Sequence, residues 1–326
     1  MTHASTQQDA QTGFQTGFQI TFEYPHATTF VRAGAGTNGR FTACAPFDQL
    51  LGSWNAETPE GSSVELQVRV LGQDDSWSRW FSFGEWSLPG RNASVENQKD
   101  DLGEFDTDTL TLNEAALTFE FRVALTGDAR LTLLSFTTSL KAGHALGLGT
   151  PGHPEWWNVT LNVPAHSQMI HEGGDVWCSP AALRMILAAH GHTVSMKSAV
   201  TGTYDDTWEG TGNWSYNAAY AGTFGLRAHL LRLPHLAEAE TFIARGIPLA
   251  LSLGWKEGEL PGAPIPKSAG HLMVLVGFDS QGNPVLNDPA SPDDAGVQRT
   301  YPRADFERQW LTRSGGLTYL LTPNQQ

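Results

Sequence analysis

The sequence predicts two domains, an N-terminal all-β sandwich or jelly roll and a C-terminal α+β domain. The length of 326 residues is about twice that of an average domain, which is roughly 150 residues. Apolar and polar residues alternate in the first half, and helical periods begin only after residue 140. A stretch rich in glycine and proline separates the two patterns and is typical of a linker.

The predicted boundaries follow these changes in composition. They are a disordered tail at residues 1–18, the β-domain at 19–140, a linker at 141–155 and the second domain at 156–326. The tail is polar and contains the doubled phrase QTGF, which is too short to build a fold.

The strands of the first domain are predicted from a two-residue period. In residues 63–71 the side chains of Val64, Leu66 and Val68 alternate with polar ones, and residues 117–123 repeat the pattern. This period places successive side chains on opposite faces of half-buried antiparallel strands. Further strand-like runs lie near residues 21–24, 80–86, 110–112 and 131–140. Burying one face of each strand favours a sandwich or jelly roll.

The second domain is predicted from helical runs and apolar strands. Helices are predicted at residues 180–190, 217–224 and 234–245. Buried strands are predicted at residues 247–253, 271–278 and 285–287. A mixture of the two in this order is typical of the α+β class.

Composition and charge exclude several classes of function. The net charge of −14 argues against nucleic acid or an anionic membrane as a main partner. No run of about 20 apolar residues is present, so no membrane span is expected. The N-terminus has no signal-peptide pattern, which favours the cytoplasm, whereas a leading β-domain also suits a secreted protein. The compartment therefore stays open between cytoplasmic and secreted.

Cys178 is the first candidate for chemistry. Ser179 is the predicted N-cap and Pro180 the first residue of the helix that follows. Free amides and the positive dipole end of a helix N-terminus stabilise a thiolate. Two interpretations are open, a nucleophile or a structural cysteine before a core helix. As a nucleophile, Cys178 would not be bridged to Cys44, and a reducing compartment would suit both thiols.

A thiolate nucleophile requires an imidazole and a group that orients it. His271 opens an apolar run, and Asp288 follows the next strand, with a predicted turn at residues 280–283 between them. A regular hairpin would place Asp288 near Val274, about 10 Å along the strand from His271. A bulge or bend is therefore required, and Asn287 is the alternative orienting residue.

Gln168 lies ten residues before Cys178 and is the candidate donor to an oxyanion, beside the Cys178 backbone N–H. The phrases VPAHSQ, WCSPAALRMIL, AGHLMVLVGFD and VLNDPA carry the order Gln, Cys-helix, His-strand, Asp-Pro. Residues 163–288 thereby resemble the papain-like, bacteriocin-processing (double-glycine) cysteine peptidases and the wider C39-like peptidase family.

The resemblance implies a papain-like α+β fold and hydrolysis of a peptide or protein substrate without a cofactor. It implies Cys178 as nucleophile, His271 as general base and acid, Asp288 as orienter and Gln168 as oxyanion donor. Ser179 departs from the glycine usual at its position. The best-known members are fused to transporters and cut after a Gly-Gly leader, and this chain shows no transporter, so that substrate is not carried over. Phrases at 53–61 and 203–217 resemble a soluble bacterial subgroup with a leading β-domain.

Aromatic side chains give two further expectations. Trp177 and the glycine-rich loop residues Tyr204, Trp208 and Trp214 are predicted substrate-binding residues, with an ordered surface loop as the alternative. The tryptophans of the β-domain are expected mainly in its core, and exposed ones could bind carbohydrate or a cell-wall polymer. These are Trp54, Trp77, Trp80 and Trp86.

No metal site is predicted, because the spacing of the histidines at 166, 171, 190 and 192 matches no zinc motif. Two other functions stay open at this stage. One is a thiol acyltransferase of the transglutaminase type, which would pass the thioester to an amine. The other is an inactive binding protein that acts through its β-domain.

Overall fold

The computed structural model describes residues 19–33 and 36–324, except for the side chains of residues 19 and 33. The predicted disordered tail, residues 1–18, lies outside the described residues. The chain divides into two compact units. Unit 1 comprises Met1–Lys141, Tyr204–Thr223 and Ala228–Leu230, and unit 2 comprises Ala142–Thr203, Phe224–Arg227 and Leu231–Gln326.

Unit 1 is built on nine antiparallel strands. They are β1 (Gln19–Tyr24), β2 (Ala27–Ala33), β3 (Asn38–Glu57), β4 (Ser63–Leu71), β5 (Phe81–Trp86), β6 (Gln98–Lys99), β7 (Gly103–Asp106), β8 (Thr109–Thr126) and β9 (Arg130–Ser139). Their order is β1-β2-β9-β3-β8-β4-β5, with β7 paired to β8 and β6 to β7. All nine strands join one hydrogen-bonded sheet, and a division into two packed layers stays a prediction.

The remaining chain alternates helices and strands. It contains β10 (Val159–Thr160), α1 (Cys178–Ala189), α2 (Met196–Thr203), β11 (Tyr204–Asp205), β12 (Gly210–Thr211), α3 (Trp214–Gly222), β13 (Leu226–Arg232), α4 (Leu236–Ile243), β14 (Leu249–Trp255), β15 (Ser268–Phe278), β16 (Pro284–Asn287), β17 (Gln298–Thr300), α5 (Arg303–Ser314) and β18 (Leu317–Pro323). The second sheet has the order β13-β18-β14-β15-β16-β17, and β10 pairs with β15.

The two-residue period accounts for the core of unit 1. Along β4 the apolar side chains are buried and the polar ones between them are half-exposed. Trp54 and Trp86 are fully buried in this core, as expected of most tryptophans in a β-domain.

Trp77 and Trp80 lie outside this core and stack with arginines. The Arg69 guanidinium carbon lies 4.6 Å from the Trp77 ring centre and 4.8 Å from that of Trp80. Arg40 stacks on Trp77 at 5.2 Å and Arg122 on Trp80 at 4.4 Å. Because guanidinium groups already cover these rings, the arrangement gives the predicted carbohydrate role no support.

Unit 1 also takes in a segment from the second half of the chain, Tyr204–Thr223. Its helix α3 starts three residues earlier than predicted, because the Asn213 side chain caps the Tyr216 N–H. The division predicted from sequence placed all of 156–326 in the second domain, and the structure differs here. The apolar periodicity of α3 does not reveal which core buries it.

Helix α3 completes the core of unit 1. Tyr216 is fully buried, its ring centre lies 6.2 Å from that of Trp54, and its hydroxyl donates to the Phe83 and Glu85 carbonyl oxygens. The buried Asn55 amide donates to the backbone oxygen of Ala218 on α3. Unit 1 therefore depends on contacts that residues 19–140 alone do not supply.

The predicted linker is tied to unit 2 by two buried carboxylates. Glu307 accepts a hydrogen bond from the Gly149 N–H at 3.0 Å, and Glu240 accepts one from the His153 N–H at 2.6 Å. Glu240 is also paired with Arg303 at 2.7 Å. The segment is glycine-rich, but these buried acceptors make it part of unit 2.

No helix in the described ranges 19–33 and 36–324 has both the length and the apolar character needed to cross a membrane.

Candidate active site

Cys178 is the first residue of α1, and Trp177 is its N-cap. The predicted cap, Ser179, is wrong. It lies inside the first turn and is buried, because the helix begins directly after the 3₁₀ turn Gly174–Val176. Cys178 is half-buried and Cys44 is exposed, and both thiols are free. The thiol of Cys178 therefore has the helix N-terminal environment that the sequence predicts.

The loop before Cys178 is packed against Gln168 through a glycine pair. Gly173 has φ +77°, a left-handed conformation that favours glycine. A Cβ atom on Gly174 would lie 1.9 Å from the Gln168 carbonyl oxygen. The Gln168 side-chain amide donates to the Gly174 carbonyl oxygen at 2.7 Å. These contacts fix the spacing between Gln168 and the start of α1.

We expect Gly174→Ala to destabilise the protein by about 1–3 kcal/mol, because backbone atoms must move to admit the methyl group. Urea denaturation of the variant measures this cost. The control is Gly270→Ala, because an added Cβ at Gly270 meets nothing within 4 Å. Gly225 also has open space around it, but its positive φ would strain an alanine. Equal stability of the Gly174→Ala and Gly270→Ala variants would contradict the prediction.

Asp288 reaches His271 through a register shift in the hairpin β15–β16. Val274 pairs with Asn287, and the register shifts between Leu275 and Gly277. Continuing this register places Asp288 opposite Met273, which is on the same face of β15 as His271. Without the shift, Asp288 would lie opposite Val274 and its side chain would point to the other face. The bulge that the sequence argument required is therefore present.

His271 Nε2 lies 2.8 Å from Asp288 Oδ1, and both side chains are buried. The alternative orienter, Asn287, donates to the Val163 carbonyl oxygen instead. The second oxygen of Asp288 accepts a hydrogen bond from the Tyr301 hydroxyl at 2.6 Å. Burial raises the pKa of Asp288, but the charge and hydrogen bond of His271 and the Tyr301 hydrogen bond outweigh it and lower the pKa below its usual range.

Helix α1, which begins at Cys178, packs against strand β15, which carries His271. Burial raises the pKa of the thiol, but the hydrogen bond and charge of His271, with the Leu272 and Ser179 backbone N–H groups, lower it overall. Burial lowers the pKa of His271, and Asp288 and Cys178 together raise it well above its usual value. Nε2 is engaged by Asp288, so Nδ1 is the nitrogen left for the thiol. The arrangement favours a thiolate–imidazolium pair.

Sequence reasoning missed two aromatic residues of the site. The Trp255 ring is buried and meets the His271 ring edge-to-face, with centres 5.5 Å apart. Tyr301 is the residue that binds Asp288 Oδ2. Trp255 stands at the end of an apolar strand and Tyr301 just after a short one, and neither position carries a motif.

The predicted oxyanion donor and the four predicted substrate-binding aromatic residues are divided between the two units. Gln168 is buried, and its Oε1 atom has no hydrogen-bond partner among the described residues. Trp177 belongs to unit 2, as Cys178 does, whereas Tyr204, Trp208 and Trp214 belong to unit 1. Tyr204 is 36% exposed and Trp208 is 51% exposed. Their role in substrate binding stays a prediction.

Within the described part of the chain, no group of three or more His, Cys, Asp or Glu side chains is arranged to hold a metal ion.

Comparison with known proteins identifies both halves of the chain. Residues 160–317 match the family described as Peptidase_C39 like, and residues 2–140 match the peptidase C39 N-terminal domain. A solved double glycine motif protease from an AMS/PCAT transporter, in complex with the leader peptide, is 21% identical, with a TM-score of 0.36 over 51% of this chain and 96% of that chain. A solved C39-like peptidase from Bacillus anthracis is 17% identical, with a TM-score of 0.39 over 51% of this chain and 98% of that chain.

No curated protein matches the sequence. The two family matches cover almost all of the residues outside the linker and the chain ends, and they confirm the resemblance drawn from the Gln, Cys, His and Asp motifs. Residues 160–317 therefore belong to the C39-like peptidase family, and a C39 N-terminal domain precedes them at residues 2–140.

Proposed function

We propose that the protein is a cysteine peptidase-like hydrolase that cleaves a peptide or amide bond of a peptide or protein substrate. The observation that carries this proposal is the buried hydrogen bond between His271 and Asp288, on a strand that packs against the helix beginning at Cys178. Family membership supports the same class of reaction. A nucleophile, a base and an orienting carboxylate in hydrogen-bond contact are the parts that covalent acyl chemistry requires.

In the proposed reaction the Cys178 thiolate attacks the substrate carbonyl carbon and forms a carbon–sulfur bond. The negative charge that develops on the carbonyl oxygen is stabilised by the Cys178 backbone N–H and the Gln168 side-chain amide. The His271 imidazolium donates its proton to the departing nitrogen as the carbon–nitrogen bond breaks. Water then attacks the thioester and gives a proton to His271, which releases the acid and restores the thiolate. Asp288 orients the ring throughout.

The two free thiols allow the proposal to be tested within one molecule. Cys44 is exposed, but its hydrogen bond to Glu23, partial burial and the Glu23 charge raise the pKa of its thiol. Cys178 is less exposed, and its pKa is lowered. We expect iodoacetamide at about pH 6 to alkylate Cys178 much faster than Cys44, because the thiolate is the reactive form. Mass spectrometry of peptides from the alkylated protein measures both rates.

The matched controls are Cys178→Ala and Cys44→Ala. Rapid alkylation should disappear in the first and persist in the second. Faster labelling of Cys44, or unchanged labelling in Cys178→Ala, would overturn the proposed role of Cys178. Incubation of the wild-type protein with a peptide mixture then separates hydrolysis, which adds one water to the products, from transfer to an added amine.

A further inference from the structure

The Asp288 carboxylate is held at both oxygens by groups from different parts of the chain. Oδ1 accepts from His271 and from the Ala290 N–H, at 2.8 and 2.9 Å. Oδ2 accepts from the Tyr301 hydroxyl at 2.6 Å. Asp288 and Tyr301 are fully buried, so water does not replace either contact. With both oxygens engaged, the plane of the carboxyl group cannot turn away from the imidazole.

We propose that Tyr301 is a positioning residue of this site, whose hydroxyl fixes the second oxygen of Asp288 and so holds the carboxylate against the His271 ring. The proposal rests on the proposed function, because it concerns the same three side chains. The proposal adds Tyr301, which lies outside the four phrases that carry the Gln, Cys, His and Asp motifs.

The attachment of Tyr301 suits this role. Its backbone N–H donates to the Pro284 carbonyl oxygen at 3.1 Å, which ties it to the start of β16. Its ring packs against Phe306 of α5, with ring centres 6.0 Å apart. Burial and the charge of Asp288 raise the pKa of the Tyr301 hydroxyl, so the group keeps its proton and remains a donor.

A phenol at this place has an electrostatic consequence that an arginine would not have. The titratable or charged groups that act on Asp288 are His271 and Tyr301, Cys178 acts on His271, and Arg299 acts on Tyr301. The Arg299 guanidinium itself donates to the Gly262 carbonyl oxygen. Tyr301 thus stabilises the carboxylate without adding a positive charge. The negative charge of Asp288 is therefore not neutralised by Tyr301 and still favours the imidazolium form of His271.

The test is the pH dependence of Cys178 alkylation in Tyr301→Phe. Loss of the hydroxyl removes a hydrogen bond that stabilises the Asp288 carboxylate. A less stable carboxylate stabilises the His271 imidazolium less, and the imidazolium in turn stabilises the Cys178 thiolate less. We expect the midpoint of the alkylation profile to move to higher pH, with a rate about tenfold lower near pH 6 and unchanged near pH 10, well above the ordinary thiol pKa of about 8.5. A merely structural role would not produce a difference that vanishes at high pH.

Tyr216→Phe is the matched control. It removes a buried, doubly hydrogen-bonded hydroxyl from unit 1 and should leave the profile unchanged. In an Asp288→Asn background, Tyr301→Phe should cause little further shift, since both changes act through the same carboxyl group.

The outcomes separate the two proposals. Slow alkylation of wild-type Cys178 near pH 6 would overturn the proposed function itself. A fast wild type whose profile coincides with that of Tyr301→Phe would overturn only the role of Tyr301. If Tyr301→Phe does not fold, the role of Tyr301 is tested by NMR of the wild-type protein. The Tyr301 hydroxyl proton should resonate downfield and shift when Cys178 is alkylated, and a proton indifferent to alkylation would refute the proposal.

Discussion

Replacing His271 by alanine is expected to lower the alkylation rate of Cys178 near pH 6 by about two to three orders of magnitude. The variant thiol loses the hydrogen bond and the positive charge that lower its pKa, while burial still raises it. An ordinary thiol with a pKa of about 8.5 is mostly protonated at that pH and therefore unreactive. Peptide hydrolysis should fall further, by about 10⁴-fold, because the general acid is lost as well.

The same substitution should also affect stability in a pH-dependent way. The folded-state pKa of Asp288 is lowered, so its contribution is present above the unfolded value of about 3.9 and is lost as pH falls through the folded value. Removing its partner leaves a buried carboxylate without its imidazolium. We expect a loss of about 3–5 kcal/mol near pH 7. Urea denaturation should show a smaller loss in acid, where the carboxyl group is protonated in both proteins.

His153→Ala is the control, since His153 lies in unit 2 with a partly exposed side chain whose ring packs against Trp156. It should leave both the alkylation rate and the pH dependence of stability unchanged. If His271→Ala were alkylated as fast as the wild type near pH 6, the thiolate of Cys178 would not depend on this imidazole, and the proposed mechanism would fail.

Replacing Tyr216 by alanine is expected to cost about 3–5 kcal/mol of unfolding free energy, because a fully buried aromatic ring leaves a cavity beside Trp54. Tyr216→Phe keeps the ring and loses only hydrogen bonds, so about 1 kcal/mol is expected. Denaturant titration followed by tryptophan fluorescence measures both values.

Tyr204→Ala is the comparison, because Tyr204 is in the same segment but is 36% exposed. Its cost should be well below that of Tyr216→Ala. Equal costs would mean that α3 does not complete the core of unit 1, and that the segment Tyr204–Thr223 merely rests on it.

The elements with a strong local period could be predicted from the sequence. The strand at 63–71 coincides with β4, and the helix predicted at 180–190 is α1 displaced by two residues or fewer at each end. Cys178 is the first residue of α1, His271 lies in the first half of β15 and Asp288 directly follows β16, so regular elements carry or flank the predicted nucleophile, base and orienter.

The parts that depend on distant packing could not be predicted. Tyr301 acts through a single hydroxyl, and no period or spacing links it to Asp288. The register shift between Leu275 and Gly277 changes the face on which Asp288 lies, and it falls within the paired strands, where the residues of the turn at 280–283 do not specify it. The burial of Tyr216 in unit 1 depends on a match of shape with Trp54, which residue type alone does not encode.

The interleaved path of the chain restricts how this architecture can be inherited. Since Tyr204–Thr223 leaves the peptidase-like part and returns to it after completing the other core, recombination at residues 141–155 would separate Tyr216 from the tryptophan it covers. A different β-domain introduced by such recombination would need a core that can bury α3. The β-rich half is therefore not a module that can be transplanted without this helix.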